Sequence, residues 1–220
     1  MTPRDAPSGI GMTSERTRLR MIDALRRDGI TDERVLAAMT EIPRHLFVDE
    51  GIASRAYEDV PLPIGHGQTI SSPTIVGLMT QLLLEKQPMD KVLEIGTGCG
   101  YQTAVLARLA KEVYTVERIA ALMDKARRHL RDLRFYNVRY KHADGHAGYA
   151  EGGPYDGILM AASATHVPEA LKQQLAVGGR MVLPVGTEDQ WLYVVDRKES
   201  GFVEQRRAAV RFVPLLPGLA

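Results

Sequence analysis

Three glycines at alternate positions, Gly96, Gly98 and Gly100, stand between an apolar run at 92–95 and a helical pattern at 101–110. That order puts bare, sharply turning main chain at a strand end, facing the N–H groups of the next helix, where a ligand can lie. The spacing is G-x-G-x-G. The dinucleotide fingerprint is G-x-G-x-x-G, and Tyr101 occupies the place of its third glycine. A bulky residue there argues against close helix packing around a pyrophosphate and suits a nucleoside cofactor without phosphates. A second apolar run, 113–116, ends in Glu117. This carboxylate follows the first glycine by about 20 positions, a distance at which it can accept from both ribose hydroxyls. S-adenosylmethionine (SAM) is the cofactor these features imply. Asp144-Gly145, after the third strand pattern, admits two readings. The acid can accept from an adenine amino group while the glycine lets the ring approach, or the pair is an ordinary Asp-Gly turn.

A second chemical segment is G-Q-T-I-S-S-P, 67–73. Thr69 and Ser71 place hydroxyls just ahead of a helix that opens on Ser72-Pro73, and the positive end of that helix favours an anion such as a carboxylate. Plain capping by Ser72 accounts for the same residues, and the physical argument by itself favours capping. Among the histidines, His142 and His146 have i,i+4 spacing, but Asp144-Gly145 between them breaks a helix. No Cys/His set has ligand spacing, so no metal is expected. Cys99, inside the glycine loop, reads as a small packing residue with no base beside it, and Trp191 reads as core within a strand pattern.

The elements that must position these groups alternate. Strand patterns at 92–95, 113–117, 137–141, 155–160 and 179–184 are interleaved with helical patterns at 101–110, 118–132 and 167–176. Such alternation predicts an α/β domain with a mostly parallel sheet. Patterns at 191–195 and 208–213, with only a turn between them, predict a C-terminal antiparallel hairpin. Upstream, amphipathic helices at 14–28 (stripe Leu19, Ile22, Leu25) and 32–41 (stripe Val35, Leu36, Met39) predict an N-terminal helical cap over the strand ends. Residues 42–71 show no clear element, and loops of that length are often functional. The helix after Ser72 carries an apolar stripe of Ile75, Val76, Met79, Leu82 and Leu83.

The 220 residues, 45% hydrophobic, suffice for one domain. We expect a loose tail at 1–13 and a single domain at 14–220, divided into a cap and substrate loop (14–90) and a core (91–220). A net charge of +1 gives no global field for nucleic acid or membrane. The single cysteine and the lack of an apolar leader or span predict a cytoplasmic protein, with monomer as the default state.

Several stretches together resemble the protein-L-isoaspartate O-methyltransferase family. They include P-R-H-L-F-V (43–48), P-L-P-I-G-H-G-Q-T-I-S-S-P (61–73) and V-L-E-I-G-T-G-C-G-Y-Q-T-A-V-L-A (92–107). V-Y-T-V-E-R (113–118), A-D-G (143–145), P-Y-D-G-I (154–158), G-G-R-M-V-L-P-V-G (178–186) and V-R-F-V-P-L (210–215) continue the likeness, which spans about 14–215. G-Q-T-I-S-x-P is its specific part, since the glycine loop belongs to many methyltransferases. The resemblance implies a Rossmann-like SAM-dependent methyltransferase fold. It also implies methyl transfer to the α-carboxyl of L-isoaspartyl residues in damaged proteins, with S-adenosyl-L-homocysteine as product. The ester would then close to a succinimide that can hydrolyse to normal aspartate. By the same carry-over, Ser71 is the residue assigned to catalysis, and Thr69 and Ile70 lie with it at the cofactor–substrate junction. Glu94, Gly96, Thr97, Gly98, Gly100, Glu117, Asp144 and Gly145 hold the cofactor. Isoaspartyl peptides and proteins are the implied partners.

Three places depart from the family pattern. Cys99 stands where serine is expected, His146 and Tyr149 occupy a stretch that often carries tryptophan, and the chain ends in a short apolar P-L-L-P-G-L-A. Two other readings compete. A SAM methyltransferase acting on a small molecule or nucleic acid would not turn over isoaspartyl peptide, and a non-catalytic SAM-binding module would transfer nothing.

Overall fold

The computed structural model describes residues 10–85 and 89–220. The expected loose tail therefore lies largely outside the described residues. Its last part is built otherwise: Gly11–Thr13 form a 3-10 turn, and the Gly11 carbonyl accepts from Ser14 N–H and the Thr17 hydroxyl.

Helices α1 (Glu15–Arg27) and α2 (Glu33–Glu41) start where side chains satisfy their free N–H groups: Ser14 accepts from Thr17 N–H and Asp32 from Arg34 N–H. The α2 stripe Val35, Leu36, Met39 is buried as expected. In α1 the buried face is Met21, Ile22 and Leu25, while Leu19 is 45% exposed. The helix presents a face rotated toward Met21.

The stretch at 42–71 is more ordered than its sequence suggests. It holds 3-10 turns at Arg44–Phe47 and Glu50–Arg55 and an antiparallel hairpin, β1 (Leu62–Gly65) and β2 (Gln68–Ile70). The hairpin turns through His66 (φ 54°) and Gly67 (φ 69°), the pair of positive φ values that matches strand twist. These strands are too short for alternation to show. Helix α3 (Pro73–Leu84) follows with Ser72 at its N-cap position. The Ser72 side chain makes no capping bond; Asp59 reaches across the loop and accepts from Thr74 N–H at 2.8 Å. The anion at this helix end is thus one of the chain's own carboxylates.

The core is one seven-stranded sheet in the order β5-β4-β3-β6-β7-β8-β9. The strands are β3 (Met89–Ile95), β4 (Ala110–Glu117), β5 (Val138–His142), β6 (Tyr155–Met160), β7 (Leu175–Val185), β8 (Gln190–Lys198) and β9 (Gly201–Val210). The first five in that order pair in parallel, and β8 runs antiparallel to both neighbours. Helices α4 (Tyr101–Leu109), α5 (Ala120–Asp132) and α6 (Glu169–Lys172) make the crossovers. A parallel sheet covered on both faces needs continuous apolar strands, and Val92, Leu93 and Ile95 are each at most 1% exposed. Arg180 of β7 ties the sheet to α3, forking onto Asp196 of β8 at 2.8 and 3.2 Å and donating to Leu82 O and Glu85.

Two expected boundaries change. The helix predicted at 167–176 is only the single turn of α6, because Leu175 already pairs with Tyr155 as β7 begins. The strand predicted at 208–213 is Gly201–Val210; its exposed run Glu204–Gln205–Arg206–Arg207 hid it, as suits a sheet edge. Trp191, expected as core, is half-buried beneath the Arg206 guanidinium, 4.2 Å from the ring centroid.

The capping arrangement is testable by urea unfolding. Asp59→Ala should lower stability by about 1 kcal/mol, and Ser72→Ala by clearly less. Equal losses would mean that Asp59 is not the cap of α3.

Candidate active site

The strand order reverses at β3, which has β4 on one side and β6 on the other. At such a point the connections leave in opposite directions and open a crevice at the carboxyl ends. The glycine loop leaves β3 there. Gly96, Gly98 and Gly100 have φ of 94°, 55° and 91°, a conformation that side chains disfavour. A Cβ on Gly98 would stand 3.2 Å from Ile64 Cδ1, and one on Gly145 only 2.6 Å from Ile95 Cγ2. These glycines form a wall of bare main chain.

Glu117 ends β4 and holds this loop. Its Oε2 accepts from Gly98 N–H at 2.9 Å and its Oε1 from Ile119 N–H at 3.0 Å. Glu117 is 6% exposed and lines the crevice, and each carboxylate oxygen keeps spare lone-pair capacity. Beneath the loop lies a buried chain of hydroxyls. Thr97 Oγ1 and Thr115 Oγ1 share a hydrogen bond at 2.6 Å, and Thr115 and Thr103 both donate to Glu94 Oε2, at 2.6 and 2.5 Å. Glu94 has no exposed surface. Burial pushes its carboxyl up to about 8, with the nearby Glu117 charge acting in the same direction, against the opposing pull of the two threonines.

One cleft of about 930 Å³, counting the open space at its mouth, runs along this surface. Gly96, Thr97, Gly98, Cys99, Glu117 and Gly145 line it on the strand-end side, and Thr69, Ile70 and Ser71 on the other. Those two groups of expected site residues are therefore brought together. Three others sit off the lining. Glu94 is beneath the loop, Gly100 is the left-handed residue that starts α4, and Asp144 is turned outward. The Asp144 carboxylate accepts from Gly218 N–H at 2.7 Å, and from His146 N–H and Nδ1 at 2.9 and 2.7 Å. Desolvation opposes its ionisation, but these N–H groups outweigh it and hold the carboxyl down to about 2.

Other lining residues stand outside the expected site set. The C-terminal segment crosses the strand ends: Ser163 N–H donates to Val213 O and Leu215 N–H to Ser163 O, both at 2.8 Å. Val213, Pro214, Leu215 and Leu216 thereby become a wall of the cleft. The short apolar tail continues this strap. Arg118 donates to Gly218 O at 3.0 Å, and Ala220 exchanges main-chain bonds with Arg118 and Ala120. Gln102, Met79 and Ala161 also line the cleft through folding alone. Cys99 is buried with its thiol pushed up to about 11 by desolvation, which leaves it a packing group at neutral pH.

The site fits a nucleoside cofactor without phosphates. It offers glycine main chain and a carboxylate pre-oriented by two N–H groups, and Tyr101, 1% exposed, fills the position where pyrophosphate binding needs a glycine.

The Glu94 arrangement has a stability consequence. The folded chain keeps a proton that the unfolded chain releases between pH 4.5 and about 8, so stability falls as pH rises through that window. Glu94→Gln should remove this slope. Its stability relative to the parent, from urea unfolding, should grow from about pH 5 to about pH 8 and then level. A difference independent of pH would show that Glu94 is ionised in the folded protein.

Comparison with known proteins agrees with this geometry. Residues 16–219 match the family model of protein-L-isoaspartate(D-aspartate) O-methyltransferase. A protein-L-isoaspartate O-methyltransferase from Methylobacillus flagellatus is 59% identical over 217 residues, 97% of each chain. A Plasmodium falciparum structure described as a protein-L-isoaspartate O-methyltransferase, in complex with S-adenosyl-L-homocysteine, superposes with a TM-score of 0.79 at 27% identity. That superposition covers 90% of this chain and 98% of the other. A further solved protein-L-isoaspartate O-methyltransferase gives a TM-score of 0.81 at 29% identity over 90% of this chain, which spans 65% of that longer one. With matches over nearly its whole length, the chain belongs to the protein-L-isoaspartate(D-aspartate) O-methyltransferase family.

Proposed function

We propose that this chain methylates the α-carboxyl of L-isoaspartyl residues in peptides and proteins, with SAM as methyl donor, and so starts their repair through a succinimide. The observation that carries this reading is that Thr69, Ile70 and Ser71 line the same cleft as Gly96, Thr97, Gly98, Glu117 and Gly145. Bound SAM supplies a methyl group on a sulfonium, an electrophile that a carboxylate can attack directly.

Glu117 takes the ribose hydroxyls with its remaining lone pairs, while its bonds to Gly98 and Ile119 fix its direction. Gly145 leaves room for the adenine ring. Asp144, expected at the adenine, is turned outward instead, and its bonds to Gly218 and His146 brace the C-terminal strap that walls the cleft. Glu94 and Gly100 act one layer back: the first braces Thr115 and hence Thr97, and the second permits the turn into α4.

The substrate carboxyl has an ordinary pKa of ~4 and arrives ionised, so no general base is required. One carboxylate oxygen forms the new O–C bond as the C–S bond breaks, and no proton moves. The chain's contribution is alignment and exclusion of water. Ser71 orients the carboxylate by donating its hydroxyl. Thr69, exposed at the mouth, contacts the peptide, and the 213–216 strap covers the opposite side. A net charge of +1 gives no field that recruits nucleic acid, and one buried free cysteine fits a reducing, cytoplasmic compartment; a monomer is the default state. Among the described residues no helix is long and apolar enough to cross a membrane.

The direct test uses methyl-labelled SAM and two peptides differing only in L-isoaspartate versus L-aspartate. Base-labile label should appear on the isoaspartyl peptide alone. Label on neither peptide, with SAM binding intact, would leave the small-molecule acceptor or the binding module. Ser71→Ala should lower kcat/KM about 10–100-fold, the range for loss of a hydrogen bond to a charged group, with SAM affinity unchanged. An unchanged kcat/KM would remove Ser71 from catalysis.

A further inference from the structure

The motif P-R-H-L-F-V at 43–48 takes no part in the mechanism above, yet it contains Arg44, the largest fully buried side chain among the described residues, with no exposed surface. A buried guanidinium remains charged and normally sits against a carboxylate. Here its bonds run to main chain. Arg44 Nε donates to Ala56 O at 2.8 Å and Nη2 donates to Ser71 O at 2.7 Å. Nη1 has no hydrogen-bond partner among the described residues. Asp59 is near enough to be felt electrostatically, but its Oδ1 is engaged as the α3 cap. The guanidinium carbon also stands 4.8 Å from the centroid of the Tyr101 ring.

Tyr101 is the first residue of α4, directly after the glycine loop, and lines the cleft. Phe47 of the same motif meets the Tyr101 ring edge-on at 5.4 Å and His129 at 5.3 Å, and His129 Nδ1 bonds Cys99 O at 3.0 Å. The motif therefore grips the cofactor-side loop through Tyr101 and the substrate-side loop through Ser71. A fork that bonds two carbonyls at once while stacking on a ring is geometry that lysine cannot reproduce.

We propose that Arg44 is a positioning residue for methyl transfer: its guanidinium fixes the Ser71 main chain relative to the glycine loop and places an un-neutralised positive charge behind the point where the substrate carboxylate binds. The inference rests on the Ser71 reading given above. Two separable consequences follow from it. The fork sets the angle at which Ser71 presents its hydroxyl, so its loss lowers kcat. The charge attracts the anionic substrate, so its loss raises KM for the isoaspartyl peptide.

The experiment compares Arg44→Lys, Arg44→Met, Ser71→Ala and the two double variants, reading kcat and peptide KM, SAM affinity by calorimetry and the thermal midpoint. Arg44→Lys should keep KM within about threefold of the parent and lower kcat about tenfold; Arg44→Met should lower kcat similarly and also raise KM about tenfold. Both should leave SAM affinity within about threefold. In the Ser71→Ala background the kcat effect of Arg44→Lys should shrink to within about twofold, the signature of two residues acting as one unit. If Arg44→Met does not fold, the Lys variant alone and in the double decides. The proposal is overturned if SAM affinity falls in parallel with kcat, which is a merely structural role, or if the Arg44 and Ser71 effects multiply independently. A Ser71→Ala variant with full activity would defeat the Ser71 reading. If Arg44→Lys still lowered kcat beside it, Arg44 would act by another route and the positioning role would fail separately.

Discussion

The bond between the Glu117 carboxylate and Gly98 N–H is the constraint on which the site depends. Glycines that supply a positive φ also leave a loop free to wander. A carboxylate at the end of the neighbouring strand removes that freedom at one point, and its second oxygen holds the start of the next crossover through Ile119. The same side chain thus shapes the loop and lines the cleft. Preorganisation of this kind matters where the chemistry needs no acid or base and gains its rate from alignment.

The placement of anions follows one electrostatic logic. A carboxylate substrate beside several fixed carboxylates would be repelled; Glu117 lines the cleft on the strand-end side, away from Ser71, and three other acids nearby are neutralised or engaged. Glu94 lies buried beneath the loop, its carboxyl pushed up to about 8 and bonded by two threonines. Asp59 spends its charge on the N-terminus of α3, the helix end that the sequence offers to a substrate anion. Asp144 is turned toward the C-terminal strap. The charge left without an ion pair under the substrate loop is positive, on Arg44.

The sheet and the glycine loop were legible because their signals are local and periodic. Val92, Leu93 and Ile95 fill a strand buried on both faces, and the alternating glycines mark a turn that other residues disfavour. The hairpin of β1 and β2 was not legible, since strands of four and three residues carry no usable period. The first half of β9 carries no strand signal because an edge strand faces water and Glu204 to Arg207 look like loop. The position of Ser72 predicts a cap, but the carboxylate that caps α3 lies fifteen residues upstream of Thr74 and arrives only by folding.

The sequence by itself determined the fold class, the glycine loop that leaves β3, and the place of the Q-T-I-S segment ahead of α3, because each is written in neighbouring residues whose conformation is set by local sterics and hydrophobic period. Only the tertiary structure decided that Ser71 and the glycine loop face one cleft and that residues 213–216 wall it. It alone also decided that Glu94 lies beneath the site rather than on it and that Arg44 joins the two loops. These relations link residues tens of positions apart. Their geometry is fixed by burial and by the need of each buried polar group to find a partner, conditions that exist only once the chain has closed on itself.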